Sequence, residues 1–255
     1  MKKNNNTHIK KYGLIGYPLG HSFSKKYFTE KFILEGIKDC VFELFPIQSI
    51  EAFPSLVDSN KNIAGLAVTV PYKESVIQFL NELDESAAEV GAVNCIRIDG
   101  FKYKGFNTDV IGFEKSFSPL LQQHHKKALV LGAGGSSKAI QFVLRKLGIE
   151  FLMVSRTPAG RDFFISYDQI NEMILQEYTI VINCTPVGTL PDLNNFPEIP
   201  YQFIGFRHLL FDLVYNPAET AFLKKGKIQG AVLKNGYEML VIQAEANWSI
   251  WKSAL

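Results

Sequence analysis

The stretch KALVLGAGGSS at residues 127–137 decides the fold class of this chain. Its apolar first half predicts a buried strand, its glycines predict a tight turn, and the following residues predict a helix from Ser136 to about Leu147. Strand-like runs follow at FLMVS, YTIVINC, HLLFDLV and AVL, separated by crossover segments. This alternation is typical of a parallel, doubly wound sheet, so the second half of the chain is predicted to be α/β and Rossmann-like.

The residues before this stretch predict a further α/β domain. Strands are expected at Tyr12–Gly16, Val41–Phe45, Gly65–Val70 and Ala92–Ile98, and helices at about Lys25–Leu34 and Lys73–Leu80. Asp99-Gly100 predicts a two-residue hairpin turn. After Asn235-Gly236 the apolar stripe predicts a final helix that returns to the first domain. The two domains are therefore predicted to cover residues 1–107 with 237–255, and residues 108–236.

The composition of the 255-residue chain narrows the classes of function. The 27 basic and 25 acidic side chains give a formal net charge of +2, which argues against a nucleic-acid partner. No stretch reaches the roughly 18 apolar residues of a membrane span. Cys40, Cys95 and Cys184 are widely spaced without a CxxC pair, which argues against a metal site. We therefore expect a cytoplasmic protein with neither a nucleic acid nor a membrane as partner. Its oligomeric state, monomer or homodimer, is not indicated by the composition.

The glycine turn predicts a binding site for the phosphates of a dinucleotide. Glycines allow the backbone N–H groups at a helix N-terminus to approach a pyrophosphate. Ser137 stands where the third glycine of GxGxxG would be, and it is small enough to keep the helix close to the strand. The alternative is a plain strand-to-helix turn. The expected cofactor-binding residues here are Gly132, Ala133, Gly134, Gly135 and Ser136.

The end of the next strand predicts which dinucleotide binds. An NAD site usually carries Asp or Glu about 20 residues after the glycine turn. This chain instead has Ser155, Arg156 and Thr157. Because a guanidinium can pair with the 2′-phosphate of NADP, we predict NADP, with Thr157 and Arg161 as further donors. The alternative is an exposed loop arginine without a ligand.

Lys73 and Asp109 are candidate ionisable residues for catalysis. Lys73 lies just beyond a predicted strand end, and Asp109 follows Asn107-Thr108 where the chain enters the second domain. Judged on spacing alone, Lys73 is explained by an ordinary solvated side chain, and Asp109 by a helix N-cap. Only their occurrence together with other motifs indicates chemistry.

Nine separated motifs resemble those of the shikimate dehydrogenase family, in the family's order and along nearly the full length. They are GYPLGHSFS at 16–24, GLAVTVPYK at 65–73, GAVN at 91–94, FNTD at 106–109, GAGGSSKA at 132–139, SRT at 155–157, NCTPVG at 183–188, DLVYNP at 212–217 and NGYEMLVIQA at 235–244. The resemblance implies two α/β domains with a cleft between them, the first for substrate and catalysis and the second for NADP.

The resemblance also implies the reaction, which is reversible reduction of 3-dehydroshikimate to shikimate with NADPH on the pathway to aromatic amino acids. Lys73 and Asp109 match the catalytic pair of the family. Hydride addition to a ketone leaves an alkoxide that must be protonated, and a lysine ammonium can both donate the proton and stabilise the oxyanion. We expect Lys73 to be the acid/base and Asp109 its partner, although either group could transfer the proton.

The remaining site residues also follow from the resemblance. Those expected to bind substrate are Ser22, Ser24, Thr69, Asn94, Tyr215 and Gln243, the two serines by holding the carboxylate. One serine could instead cap the helix near Lys25, which replaces the family's usual proline. Thr185, Val214 and Gly236, within the three last motifs, are expected to contact the cofactor.

Two other functions fit parts of this pattern. A quinate/shikimate dehydrogenase using NAD or NADP is the nearest, but both serines and Arg156 favour shikimate and NADP. A non-catalytic NADP-binding sensor on the same scaffold would tend to lose the acid/base pair. Lys73 and Asp109 are both present, so an enzyme is the favoured interpretation.

Overall fold

The computed structural model describes residues 9–20, 22–158, 160 and 162–253. Arg161, which we expected to bind the cofactor, and His21 of the first motif lie outside the described residues. The strands are β1 (Lys10–Gly16), β2 (Cys40–Pro46), β3 (Ile63–Val68), β4 (Glu82–Leu83), β5 (Cys95–Asp99), β6 (Lys102–Phe106), β7 (Lys127–Leu131), β8 (Glu150–Val154), β9 (Phe164–Ile165), β10 (Ile180–Asn183), β11 (Leu209–Asp212) and β12 (Val232–Lys234). The α-helices are α1 (Phe23–Leu34), α2 (Phe53–Ser59), α3 (Glu85–Val90), α4 (Thr108–Phe117), α5 (Gly135–Lys146), α6 (Glu172–Glu177), α7 (Ala221–Ile228) and α8 (Tyr237–Lys252).

The chain divides into two compact units. The first unit contains the residues up to Thr108 together with those from Ala244 onward, and the second contains Asp109–Gln243. Each unit packs mainly against itself. The functional roles expected for the two domains stay predictions. None of the helices in the described part of the chain is long and apolar enough to cross a membrane.

The first unit is built on a mixed six-stranded sheet in the order β2-β1-β3-β5-β6-β4. β2, β1 and β3 run parallel, whereas β5 lies antiparallel to both β3 and β6. An aromatic cluster that includes Tyr12, Phe28 and Trp251 packs on one face, and the Trp251 indole N–H donates to the Ile96 carbonyl at 3.0 Å. Burial of such large side chains is the main stabilising contribution on this face.

Two expectations for the first unit were wrong in detail. Asp99 pairs with Lys102, so the hairpin turn consists of Gly100 and Phe101, with Gly100 in the left-handed region at φ +58°. The helix expected over Lys73–Leu80 is a 3-10 helix over Ser75–Phe79. Consecutive β-branched residues in so short a segment disfavour a regular α-helix.

The second unit contains an entirely parallel sheet in the order β12-β11-β10-β7-β8-β9. Numbered from its own first strand, this is the 3-2-1-4-5-6 order of doubly wound dinucleotide-binding folds. The predicted fold class is confirmed, although β9, only two residues long, was not expected. The strand order reverses between β7 and β10, and ligands of such sheets bind outside the carboxyl ends of the strands at this point.

Candidate active site

Three expected residues of the first unit come together at one edge of its sheet. Thr69 directly follows β3, and its N–H donates to the Ile15 carbonyl at 2.9 Å. The carbonyl of Lys73 accepts from the Val93 N–H at 2.7 Å, next to Asn94. Since β5 runs antiparallel to β3, the start of β5 and the end of β3 lie at the same edge. The Lys73 side chain is half-buried there.

The Asn94 side chain has an assigned orientation within a buried network. Its Oδ1 accepts from the Thr108 N–H at 2.6 Å, and the Thr108 hydroxyl lies 3.1 Å from the same oxygen. Because a backbone N–H can only donate, the amide oxygen must face Thr108, and the Nδ2 group points the other way. Asn107, next to Thr108, donates from Nδ2 to the Ala92 carbonyl at 2.8 Å and so also holds the segment before Asn94 in place. The amide of Asn94 is therefore fixed before any ligand arrives.

The two serines lie at the start of α1. Ser22 is the N-cap, and its hydroxyl oxygen accepts from the Lys25 N–H at 3.4 Å. Ser24 is partly buried in the first turn of the helix. The capping alternative for Ser22 is thus realised, yet capping uses only a lone pair and leaves the hydroxyl hydrogen for an anionic group.

The remaining expected substrate and catalytic residues belong to the second unit. Asp109 lies in the first turn of α4 and is buried, with 7% of its surface exposed. Gln243 is buried on α8 and donates from Nε2 to the Leu240 carbonyl at 3.0 Å. Tyr215 is half-buried beyond the end of β11. The pairing of Lys73 with Asp109 stays a prediction.

The glycine turn has the geometry that the sequence predicts. Gly132 has φ +98°, and its N–H donates to the Val154 carbonyl at 2.9 Å. Gly134 is the N-cap of α5, whose first N–H groups follow it directly. Ser137 is buried, and its hydroxyl donates to the Gly134 carbonyl at 2.7 Å. The serine therefore replaces the third glycine without separating helix and strand.

A cavity of about 1280 Å³ opens at the carboxyl ends of β7, β8 and β10. Its walls include Gly132 after β7, Arg156 after β8, and Thr185 after β10. A side chain at Gly132 would place its Cβ 2.8 Å from the Thr185 methyl carbon, so the absence of a side chain keeps this part of the wall open. The cavity lies at the reversal point of the strand order, where a dinucleotide is expected.

The wall of this cavity also contains residues that the sequence did not indicate. Ser166, Tyr167 and Asp168 line it together with Ser155 and Arg156. Burial raises the pKa of Tyr167, and the nearby positive charge of Arg156 acts in the opposite direction. Arg156, itself exposed, and Tyr167 thus line the same cavity. Since these residues follow the two-residue strand β9, no strand pattern could have indicated them.

Thr185, Val214 and Gly236 occupy loops at the carboxyl ends of strands. The Thr185 N–H and hydroxyl both hydrogen-bond the Asn183 Oδ1, at 3.0 and 2.6 Å. Val214 follows β11, and its carbonyl accepts from the Gly236 N–H at 3.1 Å. A Cβ at Gly236 would collide with the Leu213 backbone, so this position requires glycine. Of these three residues, Thr185 lines the cavity.

Comparison with known proteins identifies the family. Residues 14–96 match the family described as the shikimate dehydrogenase substrate binding domain. Over an alignment of 263 residues the chain is 35% identical to a protein of Halothermothrix orenii named shikimate dehydrogenase (NADP(+)), with 94% of this chain and 89% of that protein covered. The chain belongs to the shikimate dehydrogenase family.

Solved structures of family members agree with this assignment. A shikimate dehydrogenase from Aquifex aeolicus has a TM-score of 0.85 at 31% identity, with 98% of this chain and 94% of that chain covered. The Thermus thermophilus shikimate dehydrogenase, crystallised in complex with NADP(H) and shikimate, has a TM-score of 0.83 at 28% identity, with 96% and 94% covered. The resemblance drawn from the nine motifs is confirmed.

This shikimate dehydrogenase family member departs from the usual motif at Lys25. A proline there would have no N–H to donate, whereas the N–H of Lys25 is bound by the Ser22 hydroxyl oxygen. The Lys25 side chain is exposed. The replacement therefore adds a capping hydrogen bond to α1 and places one positive charge next to Ser24 in the sequence.

Proposed function

We propose that this protein is an NADP-dependent shikimate dehydrogenase that reversibly reduces 3-dehydroshikimate to shikimate. The observation that carries the proposal is the gathering of Thr69, Lys73 and Asn94 at one sheet edge in a chain of this family. The proposal is further supported by relatives named shikimate dehydrogenase (NADP(+)) that align with more than nine-tenths of the chain.

The cavity of the second unit fits NADP. The glycine turn presents N–H groups at the start of α5, a twelve-residue helix whose N-terminal dipole favours phosphate. The cavity wall carries Arg156 where an NAD site would carry a carboxylate, and a guanidinium suits the 2′-phosphate. When bound, NADPH supplies the hydride. We assign its binding to the glycine turn, residues 155–157, Thr185, Val214 and Gly236.

The protein's own part in the reaction is proton transfer. We assign Lys73 as the acid that protonates the developing alkoxide and as the base in the reverse direction. Its half-buried position at the sheet edge limits solvent screening of the ammonium charge. Asp109, itself buried, is assigned as the partner that orients Lys73 or the substrate hydroxyl.

Substrate recognition is assigned to hydroxyl and amide groups rather than to a buried cation. Ser22 and Ser24 at the start of α1 are proposed to bind the carboxylate, since a helix N-terminus favours an anion. Thr69, Asn94, Tyr215 and Gln243 are proposed to bind the ring hydroxyls or the carboxylate. The orientation of Asn94 directs its Nδ2, a donor group suited to a substrate oxygen, away from Thr108.

The two domains are proposed to have different main roles, with Asp109 and Tyr215 of the second reaching the substrate. We propose that residues 1–107 with 237–255 bind substrate and residues 108–236 bind NADP. We further propose a cytoplasmic enzyme, monomer or homodimer, on the pathway to aromatic amino acids. Size-exclusion chromatography with light scattering would decide the oligomeric state.

The decisive experiment follows NADP reduction by absorbance, with shikimate and quinate each tested under NADP and NAD. We expect kcat/KM to be highest for shikimate with NADP and lower by roughly tenfold to a hundredfold for each exchanged partner. Quinate turnover equal to shikimate turnover would instead support the quinate/shikimate alternative. No turnover with any combination would overturn the proposed activity.

A further inference from the structure

Asp212 is a fully buried carboxylate that none of the assigned roles uses. It ends β11, with 0% of its surface exposed, and it accepts three hydrogen bonds from neutral donors. Its Oδ1 accepts from the Asn183 Nδ2 at 2.9 Å and from the Val214 N–H at 3.0 Å. Its Oδ2 accepts from the Thr220 hydroxyl at 2.6 Å. One side chain thus joins the ends of two strands to the start of α7.

Asn183 links Asp212 to the cavity wall by hydrogen bonds. Its amide orientation is determined at both ends, because Nδ2 faces the carboxylate and Oδ1 faces the Thr185 N–H. The Thr185 hydroxyl donates to the same Oδ1 and accepts from the Val187 N–H at 3.3 Å. Thr185 and Val187 both line the cavity. The loop at 184–187 is therefore held by a chain of bonds that starts at Asp212.

Val214 belongs to a second loop that is hydrogen-bonded to Asp212. Its N–H is bound to Asp212, and its carbonyl accepts from the Gly236 N–H. Val214 and Gly236 are both residues that we assign to NADP. A single oxygen, Oδ1 of Asp212, accordingly accepts from Asn183, which holds the loop at 184–187, and directly from Val214 of the second loop.

The burial of this carboxylate has an electrostatic consequence. Burial raises the pKa of Asp212 to about 6, and the hydrogen bonds from Thr220, Val214 and Asn183 oppose that rise. A neutral group with one acceptor and one donor can make the same contacts, because the Thr220 hydroxyl oxygen can accept. The acceptor Oδ1 is therefore the part of the side chain that Asn183 and Val214 require, whether or not it carries a charge.

We propose that Asp212 is a positioning residue for the cofactor, fixing the loops at 184–187 and 213–214 through its Oδ1. This inference rests on the proposed function, because it takes NADPH to be the ligand of the cavity. Asp212 acts through Asn183 and Val214.

Two substitutions separate the acceptor from the charge. Asp212→Asn keeps Oδ1 for Asn183 and Val214 and offers an N–H to Thr220, so we expect the NADPH Kd to stay within about threefold of wild type. Asp212→Leu has a similar size but leaves three buried donors without an acceptor, so we expect an NADPH Kd at least about 30-fold higher. In both variants kcat at saturating NADPH and the KM for 3-dehydroshikimate should change by less than about threefold.

The matched control is on the same strand. His208 precedes β11 at its amino end and is buried, with ring bonds to the Gly205 N–H and the Leu175 carbonyl. His208→Leu therefore removes buried hydrogen bonds at the opposite end of the strand from the cavity. We expect it to lower the melting temperature while leaving the NADPH Kd within about threefold of wild type.

Asn183→Leu keeps the proposal testable if Asp212→Leu does not fold. It cuts the connection to Thr185 and leaves Asp212 bound to Val214 and Thr220, so the NADPH Kd should rise by about tenfold. An unchanged NADPH Kd in a folded Asp212→Leu variant, or in Asn183→Leu, would overturn the positioning role alone. A wild-type protein that does not bind NADPH would overturn the proposed function instead.

Discussion

The two units present their candidate residues in different chemical forms. At the sheet edge of the first unit the groups are side chains, among them Lys73 and an Asn94 amide oriented by Thr108. Around the cavity of the second unit many of the groups are backbone, at Gly132, at Gly134 and around Thr185. Side chains can transfer protons and hydrogen-bond the hydroxyl groups of a substrate, whereas backbone N–H groups are suited to binding phosphates. Substitutions at the sheet edge of the first unit should thus change turnover, and those around the cavity of the second unit should change cofactor affinity.

The largest expected effect tests the first half of this contrast. Lys73→Met should lower kcat by about 10²- to 10⁴-fold, because it removes the proton donor, while the NADPH Kd stays unchanged. Single-turnover absorbance and fluorescence titration would measure the two quantities. The exposed Lys26→Met is the control. Near-normal turnover of Lys73→Met would show that Lys73 is not the proton donor and would contradict the assignment of turnover to the first unit.

Specificity should change most at Arg156. Arg156→Asp should weaken NADP binding by about 10- to 100-fold, since it removes the partner of the 2′-phosphate and introduces repulsion. NAD binding should stay the same or improve. Titration of both cofactors, with the exposed Arg207→Asp as the control for lost surface charge, would check this. Unchanged NADP affinity would remove Arg156 from the site.

Gly132→Ala tests the backbone half of the contrast. At φ +98° an alanine is strained, and its Cβ would crowd the Thr185 methyl carbon. We expect NADPH affinity to fall by about tenfold, with little change in the KM for substrate. Gly205→Ala is the control, because no atom lies within 4 Å of a Cβ there. Equal cofactor affinity in the two variants would contradict the role of the glycine turn.

The smallest effect concerns acid stability. Burial lowers the pKa of His125 and of His208 below the ordinary 6.5, and their Nδ1 atoms accept from the Gln122 and Gly205 N–H groups. The neutral rings therefore contribute stability that is present above about pH 6.5 and lost as the pH falls through their lowered pKa values. Protonation of Asp212, whose pKa burial raises to about 6, stabilises the fold as the pH falls through that value and so acts in the opposite direction. In the Asp212→Asn variant, which lacks this carboxyl, we expect the melting temperature to fall by on the order of 5 °C between pH 7 and 5.

Hydrogen exchange would localise this acid effect. Both histidines lie in the second unit, and the part of the first unit that the structure describes contains no histidine. Early loss of protection in β7 and β11, with β1 and β3 still protected, would sharpen the contrast. Uniform loss across both units would show that these rings do not control acid stability.

Local pattern predicted the fold well where one physical rule dominated. The apolar run at 127–131 followed by glycines predicted β7, the turn and α5 almost to the residue. The alternation of apolar and polar residues did not predict β9, because a strand of two residues is too short to show a period. The segment after Lys73 also failed, since its short β-branched sequence folds as a 3-10 turn under tertiary contacts.

The candidate site was only partly readable from the sequence. Spacing left Lys73 and Asp109 with ordinary structural explanations, and the family motifs supplied the expected roles. The sequence did not indicate Asn183 and Asp212 as hydrogen-bond partners, because their pairing depends on β10 and β11 lying side by side. Buried polar networks require tertiary structure to be seen.

The single cysteine in the cavity wall has a practical consequence. Cys184 is a half-buried residue of the cavity wall, whereas Cys95 is fully buried and Cys40 lies in the first unit. Burial raises the pKa of the Cys184 thiol, so an alkylating reagent would react slowly and mostly at high pH. Its rate of labelling would accordingly report occupancy of the cavity in the unmodified protein, without an engineered probe.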